Sequence, residues 1–197
     1  MSATQQTYVL RPVGSLDAGQ REDLRRIRNS QSVRAAMYQD HVISEDEHRA
    51  FLERIAAGTG RELYAVLREG SDVVGAASLD AIDPRHRRTD WAFYLGEDAR
   101  GGVGSALEFC VLDHVFFERG FEKLNCEVLE TNARVVAMHK RFGFVEEGFR
   151  RAHVLKDGVR IGVHMLGICR AEWEAVRPAA EALLRSRSQP VKVVFDA

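Results

Sequence analysis

Cysteine is scarce in this chain: Cys110, Cys126 and Cys169 are the only 3 in 197 residues, and no C-x-x-C pair occurs. An odd, widely spaced set excludes a disulfide framework and a zinc knuckle, so no metal is expected. Cys110 and Cys126 lie in apolar segments and read as core residues. Neither sign of charge is in excess, with 28 Lys and Arg against 29 Asp and Glu for a net charge of -1. The concentrated basic surface that phosphate backbones require is missing, so no nucleic-acid partner is expected. No apolar run approaches the ~20 residues of a bilayer crossing, and no signal peptide is visible at the N-terminus. The reading is a soluble cytoplasmic protein without a membrane partner. Proline is sparse at 4, and 45% of residues are hydrophobic, a composition that excludes wholesale disorder. One domain is the default at this length.

What is present is organised punctuation. Tyr8 to Val13 is a strand candidate, and residues 16 to 38 carry helical spacing broken around Asn29 and Ser30. Ser44 with Glu47 three positions on is a capping-box pattern opening a helix with His48, Phe51, Leu52 and Ile55 on its inward stripe. Residues 62 to 68, 72 to 82 and 89 to 97 read as an antiparallel meander, with a hairpin turn at Gly70 and Ser71. The period then changes: a glycine turn leads into a helix from Ala106, followed by a strand at 123 to 130 and a helix at 132 to 142. Asp157-Gly158 marks a hairpin within 153 to 169, residues 171 to 185 form a helix, and 191 to 196 form a short strand or a disordered tail.

The sharpest local feature is Arg100-Gly101-Gly102-Val103-Gly104-Ser105 between a strand and a helix. Glycines there allow a tight turn and leave the first N–H groups of the helix uncovered, which makes an anion site suited to a diphosphate. The Lys and Ser or Thr of an ATP-type phosphate loop are absent, which disfavours magnesium chemistry. The run alone is also compatible with a plain helix start, the lesser of the two readings.

Together with the meander before it and Asn132-x-x-Val-x-x-Met-His-x-x-x-Gly-Phe after it, the turn resembles the GCN5-related N-acetyltransferase superfamily. That resemblance covers residues 8 to 169 or so. It implies a single mixed α/β domain, residues 1–170, whose mostly antiparallel sheet is splayed at the acetyl-CoA site and flanked by helices. Residues 171–197 would be a helix and tail packed on the domain or extending from it, covering an edge strand or supplying a homodimer contact. By the same resemblance Gly101, Gly102, Val103, Gly104 and Ser105 hold the coenzyme A pyrophosphate, and Arg100 reaches a phosphate although Ala99 stands where the family has Arg or Gln. Phe93, Tyr94 and Leu95 bind the pantetheine amides through exposed backbone, and Asn132 helps hold that arm. His139 stands where the family often has a tyrosine acid, and it is either the proton donor to the departing thiolate or a pocket-lining residue. Glu127 matches the position of a base acting through water, or else simply faces solvent.

The segment Arg28-Asn29, Met37-Tyr38 and Ile43-Ser44-x-x-x-His48 is similar to the amino-sugar branch of the superfamily, the PseH-type enzymes of pseudaminic acid biosynthesis. That similarity implies acetylation of the 4-amino group of a UDP-linked 4-amino-4,6-dideoxy sugar, with Arg28 and His48 contacting the nucleotide or sugar and Met37 and Tyr38 shaping the pocket. Asp80 stands where relatives carry a hydroxyl or basic residue and would face the amine. Plainer readings pair Arg28 with Asp23 or Glu22 and leave His48, Met37 and Tyr38 as packing. The rival functions are a protein N-terminal or small-amine acetyltransferase of the same fold, and an acyl-coenzyme A binding domain without turnover.

Overall fold

A computed structural model describes residues 6–58, 60–99, 101–186 and 191–196. The first strand, β1 (Gln6–Pro12), buries Tyr8 and Leu10 and leaves the residues between them more open, the alternation of a strand with one face on a core. A 3-10 turn at Val13–Ser15 leads into α1 (Ala18–Arg28), α2 (Gln31–Ala36) and α3 (Glu45–Ala56). Asp17 with Gln20 and Ser44 with Glu47 form reciprocal capping boxes that supply acceptors to otherwise orphaned N–H groups. The break between α1 and α2 falls at Asn29 and Ser30, as the spacing indicates.

The strands β2 (Glu62–Arg68), β3 (Asp72–Asp83) and β4 (Arg88–Leu95) form the expected meander. The first turn centres on Glu69 and Gly70, at φ 47° and 76°, one residue earlier than the sequence suggests. Two consecutive positive φ values match the right-handed twist of a hairpin. A Cβ at Gly75 would lie 2.2 Å from the Tyr94 carbonyl oxygen, so β3 and β4 approach closely only because residue 75 is glycine.

The second half contains α4 (Val103–Asp113), extended by a π-helical turn at His114–Glu118, then β5 (Lys123–Leu129), α5 (Ala133–Arg141), β6 (Val145–Lys156), β7 (Val159–Cys169), α6 (Arg170–Arg185) and β8 (Val191–Phe195). Two expectations change. Helix α4 begins at Val103 instead of Ala106, and β6 begins at Val145, well before His153. β6 is an edge strand exposed on both faces, so its residues carry no apolar alternation. The segment 191–195 is a strand, and it lies along the outer edge of β1.

The described strands make one eight-stranded sheet in the order β6-β7-β5-β4-β3-β2-β1-β8. Only β4 with β5 and β1 with β8 run parallel. A core lies on each face. Trp91, Leu107, Leu112, Phe142 and Trp173 belong to the one beneath α4, α5 and α6. Leu24, Ala65, Leu67 and Ala76, with Leu52 and Tyr94 against them, form the other beneath α1 and α3. Among the described residues no helix is long and apolar enough to cross a membrane.

Candidate active site

Parallel strands β4 and β5 pair only through Arg88–Asp90 and Lys123–Asn125, after which they diverge. Asn125 Nδ2 donates to Asp90 Oδ1 at 2.9 Å and fastens the last paired rung. Beyond it Trp91 to Leu95 bond only β3. Gly96 N–H donates to the Val74 carbonyl at 2.8 Å, which fixes the phase of the antiparallel ladder. Counting back from that rung, the N–H and C=O of Phe93 and Leu95 point away from β3, toward the gap. The open edge is therefore that of Phe93 and Leu95; Tyr94, expected with them, turns its N–H and C=O to β3 instead.

Below the gap lies the start of α4. Its N-cap, Gly102, has φ 106° and ψ 1°, and no side chain caps the helix. Gly101 at φ 87° precedes it. These left-handed values suit glycine alone, and they leave the first-turn N–H groups clear of side chains. Val103 and Ser105 turn inward and are buried, whereas Gly104 faces Met138, Leu95 and Phe93. A Cβ at 104 would make ordinary contacts, 3.6 Å from Met138 Sδ, 3.8 Å from Leu95 and 4.0 Å from Phe93, so this glycine lies between α5 and the free edge of β4. Asn132 is the N-cap of α5 but makes no side-chain cap bond, so its amide is not used to start that helix. Arg100 lies outside the described residues.

On β5 the side chains alternate across the sheet. Cys126 and Val128 enter the core under α4 and α5, and Glu127 points to the opposite face. There the Tyr38 hydroxyl donates a hydrogen bond to Glu127 Oε2, and Arg150 donates to Oε1 at 2.7 Å. Burial, then the bond to Glu127, holds the Tyr38 hydroxyl well above the ordinary phenol range. Each carboxylate oxygen has a second lone pair, which leaves Glu127 able to accept a proton through water.

The segment carrying Tyr38 is fixed from three directions. Lys156 Nζ donates to the carbonyls of Arg34, Ala35 and Met37 at 2.8, 3.0 and 2.7 Å. Arg28 donates to the Gln39 carbonyl at 2.9 Å, Arg34 to that of Asp40 at 2.8 Å, and Asn29 bonds both backbone groups of Ile43. The Arg28 pairing expected of a surface helix does not form: Glu22 takes Arg25 and Asp23 takes Arg26. Arg28 Nη1 is buried with no hydrogen-bond partner among the described residues, and burial pulls its basicity down.

His139 is 2% exposed, on the face opposite Glu127. Its Nδ1 lies 2.6 Å from Oε1 of Glu108, which is 0% exposed. The ring packs against Trp91, Phe93 and Phe144 with centroids 5.5, 6.2 and 5.1 Å away. Sequence reading overlooked Glu108, although a single acid in the apolar run Ala106–Leu112 was the available signal.

Two expected acceptor residues are placed elsewhere. His48 is buried in α3 beside Arg25 and Glu22 of α1, and burial pushes its basicity down, so it is a packing residue between helices. Asp80 is held by its own chain: Arg61 forms an ion pair with it and Ser78 Oγ donates to it at 2.7 Å. Met37 contributes its carbonyl to Lys156, and Tyr38 alone of that set touches Glu127. Cavities of about 290 and 220 Å³ share Ile55 and Arg61 at the end of α3, apart from the gap.

The chain and its fold have counterparts among known proteins. The model of the acetyltransferase (GNAT) domain family matches residues 8–145, and the chain belongs to that family. It is 25% identical over 114 residues, 56% of this chain, to the SPbeta prophage-derived uncharacterized N-acetyltransferase YokL of Bacillus subtilis. It is 21% identical over 117 residues, 59% of this chain, to the uncharacterized N-acetyltransferase p20 of Bacillus licheniformis. The matches span 63% and 66% of those two proteins' own lengths. In three dimensions the spermidine N-acetyltransferase from Vibrio cholerae, solved with CoA and spermine, superposes with a TM-score of 0.77 at 20% identity, over 85% of this chain and 98% of that one. A GCN5-related N-acetyltransferase from Brucella melitensis gives 0.72 at 21% identity, over 88% and 80%. At these identities the likeness is one of fold.

Proposed function

We propose that this protein is an acetyl-CoA-dependent N-acetyltransferase that delivers acetyl directly to the amine of a small molecule. The observation that carries the reading is the divergence of β4 and β5 directly above the uncapped, glycine-started α4. The N–H groups from Gly101 to Ser105 would hold the donor's diphosphate, as the left-handed Gly101 and Gly102 and the absence of a side chain at Gly104 allow. The free edge of Phe93 and Leu95 and the Asn132 amide would hold its amide-bearing arm. Glu127, kept in place by Tyr38 and Arg150, would take the proton of the attacking amine through water, and His139 would give one to the sulfur. Membership of the acetyltransferase family and a CoA-bound relative of the same fold support the donor.

For the acceptor, the spermidine enzyme of this fold supports a small primary amine. A narrower acceptor, the 4-amino group of a UDP-linked 4-amino-4,6-dideoxy sugar, is favoured by one observation. Arg28 Nη1 is buried with no hydrogen-bond partner among the described residues, and Glu127 is already paired with Arg150, so the acceptor side offers more to an anion than to a polycation. The test is release of free thiol from acetyl-CoA with spermidine, the UDP-linked amino sugar and an N-terminal peptide as acceptors. Saturable release with either small amine supports the reading, and the responding amine fixes the class. Release with the peptide alone, or with none of the three, overturns it.

A further inference from the structure

We propose that Glu108 is the proton source behind His139: the two form a relay in which the Glu108 carboxylic acid donates to Nδ1, so that Nε2 of His139 carries the hydrogen offered to the departing sulfur. The inference deepens the acetyl-transfer reading above and rests on it.

Three observations place the proton there. Glu108 is 0% exposed, and its Oε1 meets His139 Nδ1 at 2.6 Å. Oε2 is buried and has no hydrogen-bond partner among the described residues. An ionised carboxylate with one oxygen left bare in an apolar enclosure is costly, and the neutral acid removes that cost. The groups facing the pair add little countercharge. Trp91 and Phe93 of β4 and Phe144 after α5 present rings, β5 presents the Cys126 thiol, and Arg141 of α5 acts on Glu108 beside His139. Burial outweighs His139 and Arg141 and holds the Glu108 carboxyl above the ordinary range, and the same burial keeps Cys126 protonated. Nor does packing require an acid at 108, because apolar replacements of buried pairs are often neutral or stabilising.

The direction of the relay follows from where each end sits. Glu108 belongs to α4, whose first turn is the proposed diphosphate cradle, and is sealed from solvent. His139 packs on Phe93, which lies on the free edge of β4 past its last rung with β5. In the transfer the amine nitrogen bonds the acetyl carbon and the carbon–sulfur bond breaks. The sulfur takes the Nε2 hydrogen, and the Glu108 proton moves to Nδ1, leaving a carboxylate bonded to a neutral imidazole. The proton lost by the amine leaves by way of Glu127, and one proton from solvent restores Glu108, so each turnover balances. His139 is then the catalytic residue and Glu108 a positioning residue that also stores its proton.

The test uses the whole protein. Histidine ¹⁵N spectra at pH 7, with the His139 signal identified by its loss in His139→Gln, are expected to show a protonated Nε2 and an accepting Nδ1. Infrared difference spectra of wild type against Glu108→Gln are expected to show the carbonyl stretch of one protonated carboxyl. Glutamine keeps the volume and still donates to Nδ1, so the tautomer stays while the proton source is lost. In Glu108→Gln, kcat is expected to fall on the order of tenfold or more with the KM for acetyl-CoA unchanged, and Glu108→Asp to recover part of it. In a His139→Gln background Glu108→Gln should have no further effect. A bare Nε2 with Nδ1–H in the wild type, no protonated-carboxyl band, or an unchanged kcat in Glu108→Gln overturns the relay. Both spectra are read without an acceptor, so a failure of the relay is separate from a failure to find the amine.

Discussion

Replacing Lys156 by methionine isolates the energetics of the acceptor segment. The side chain is 6% exposed, and its ammonium places one hydrogen on each of three carbonyls at the end of α2, at 2.7–3.0 Å. Methionine keeps most of the apolar stem, so the change removes the charge and its three bonds and little packing. A hydrogen bond to a charged group contributes roughly 1.5–3 kcal/mol, but the ammonium has also been stripped of water, which offsets much of the sum. Ala35 is exposed and Arg34 half-buried, so water can replace part of what is lost. The net loss expected is about 2–3 kcal/mol, or a melting temperature lower by roughly 5–10 °C for a domain of this size. The functional consequence is sharper. Met37 directly precedes Tyr38, so freeing its carbonyl loosens the hydroxyl on Glu127. Urea unfolding, with acceptor and acetyl-CoA KM measured in parallel, checks both. A rise in acceptor KM with acetyl-CoA KM unchanged is expected. A stability change below about 0.5 kcal/mol with both constants unaltered would refute the reasoning.

Trp173→Ala removes a side chain with no exposure that donates to Asp113 at 3.0 Å and packs on Phe109. A loss of about 3–5 kcal/mol in one cooperative transition is expected on chemical unfolding, and a loss under about 1 kcal/mol would separate α6 from the core. Glu62 accepts two bonds from Arg119, at 2.7 and 2.9 Å, and these hold its carboxyl below the ordinary 4.5. A lowered carboxyl stabilises above that value and loses its contribution as the pH falls through the folded-state value. The stability gap between wild type and Glu62→Gln is therefore expected to be widest near neutrality and to close in acid. A gap independent of pH would exclude the linkage.

Local chemistry was legible wherever a short segment determined its own conformation. Ser44 and Glu47 announce α3, Asp157-Gly158 announces the last hairpin, and the glycines at 101, 102 and 104 announce the uncapped start of α4. Pairings set by the tertiary fold were not. Tyr38 and Glu127 are 89 residues apart, and nothing in either neighbourhood indicates the bond. Lys156 reads as a charge beside a hairpin turn, yet it is buried against carbonyls more than a hundred residues earlier. Asp80 and His48 were read as facing a substrate, whereas Arg61 and the α1–α3 interface had prior use for them. β6 lacked a signal because an edge strand open on both sides has no apolar face to display.

The most direct test of the account is calorimetric titration of acetyl-CoA into the wild type and Gly104→Val. A Cβ at this position makes only ordinary contacts, at 3.6–4.0 Å with Met138, Leu95 and Phe93, and the melting temperature of the variant without ligand, measured beside the titration, reads whether its two further methyl groups are accommodated. Its branched side chain would stand in the cradle and cover the N–H groups. The account predicts one site in the wild type and an affinity weakened on the order of tenfold or more in the variant, about 1.4 kcal/mol or greater. Equal affinity in the two proteins, or no binding to the wild type, would contradict it.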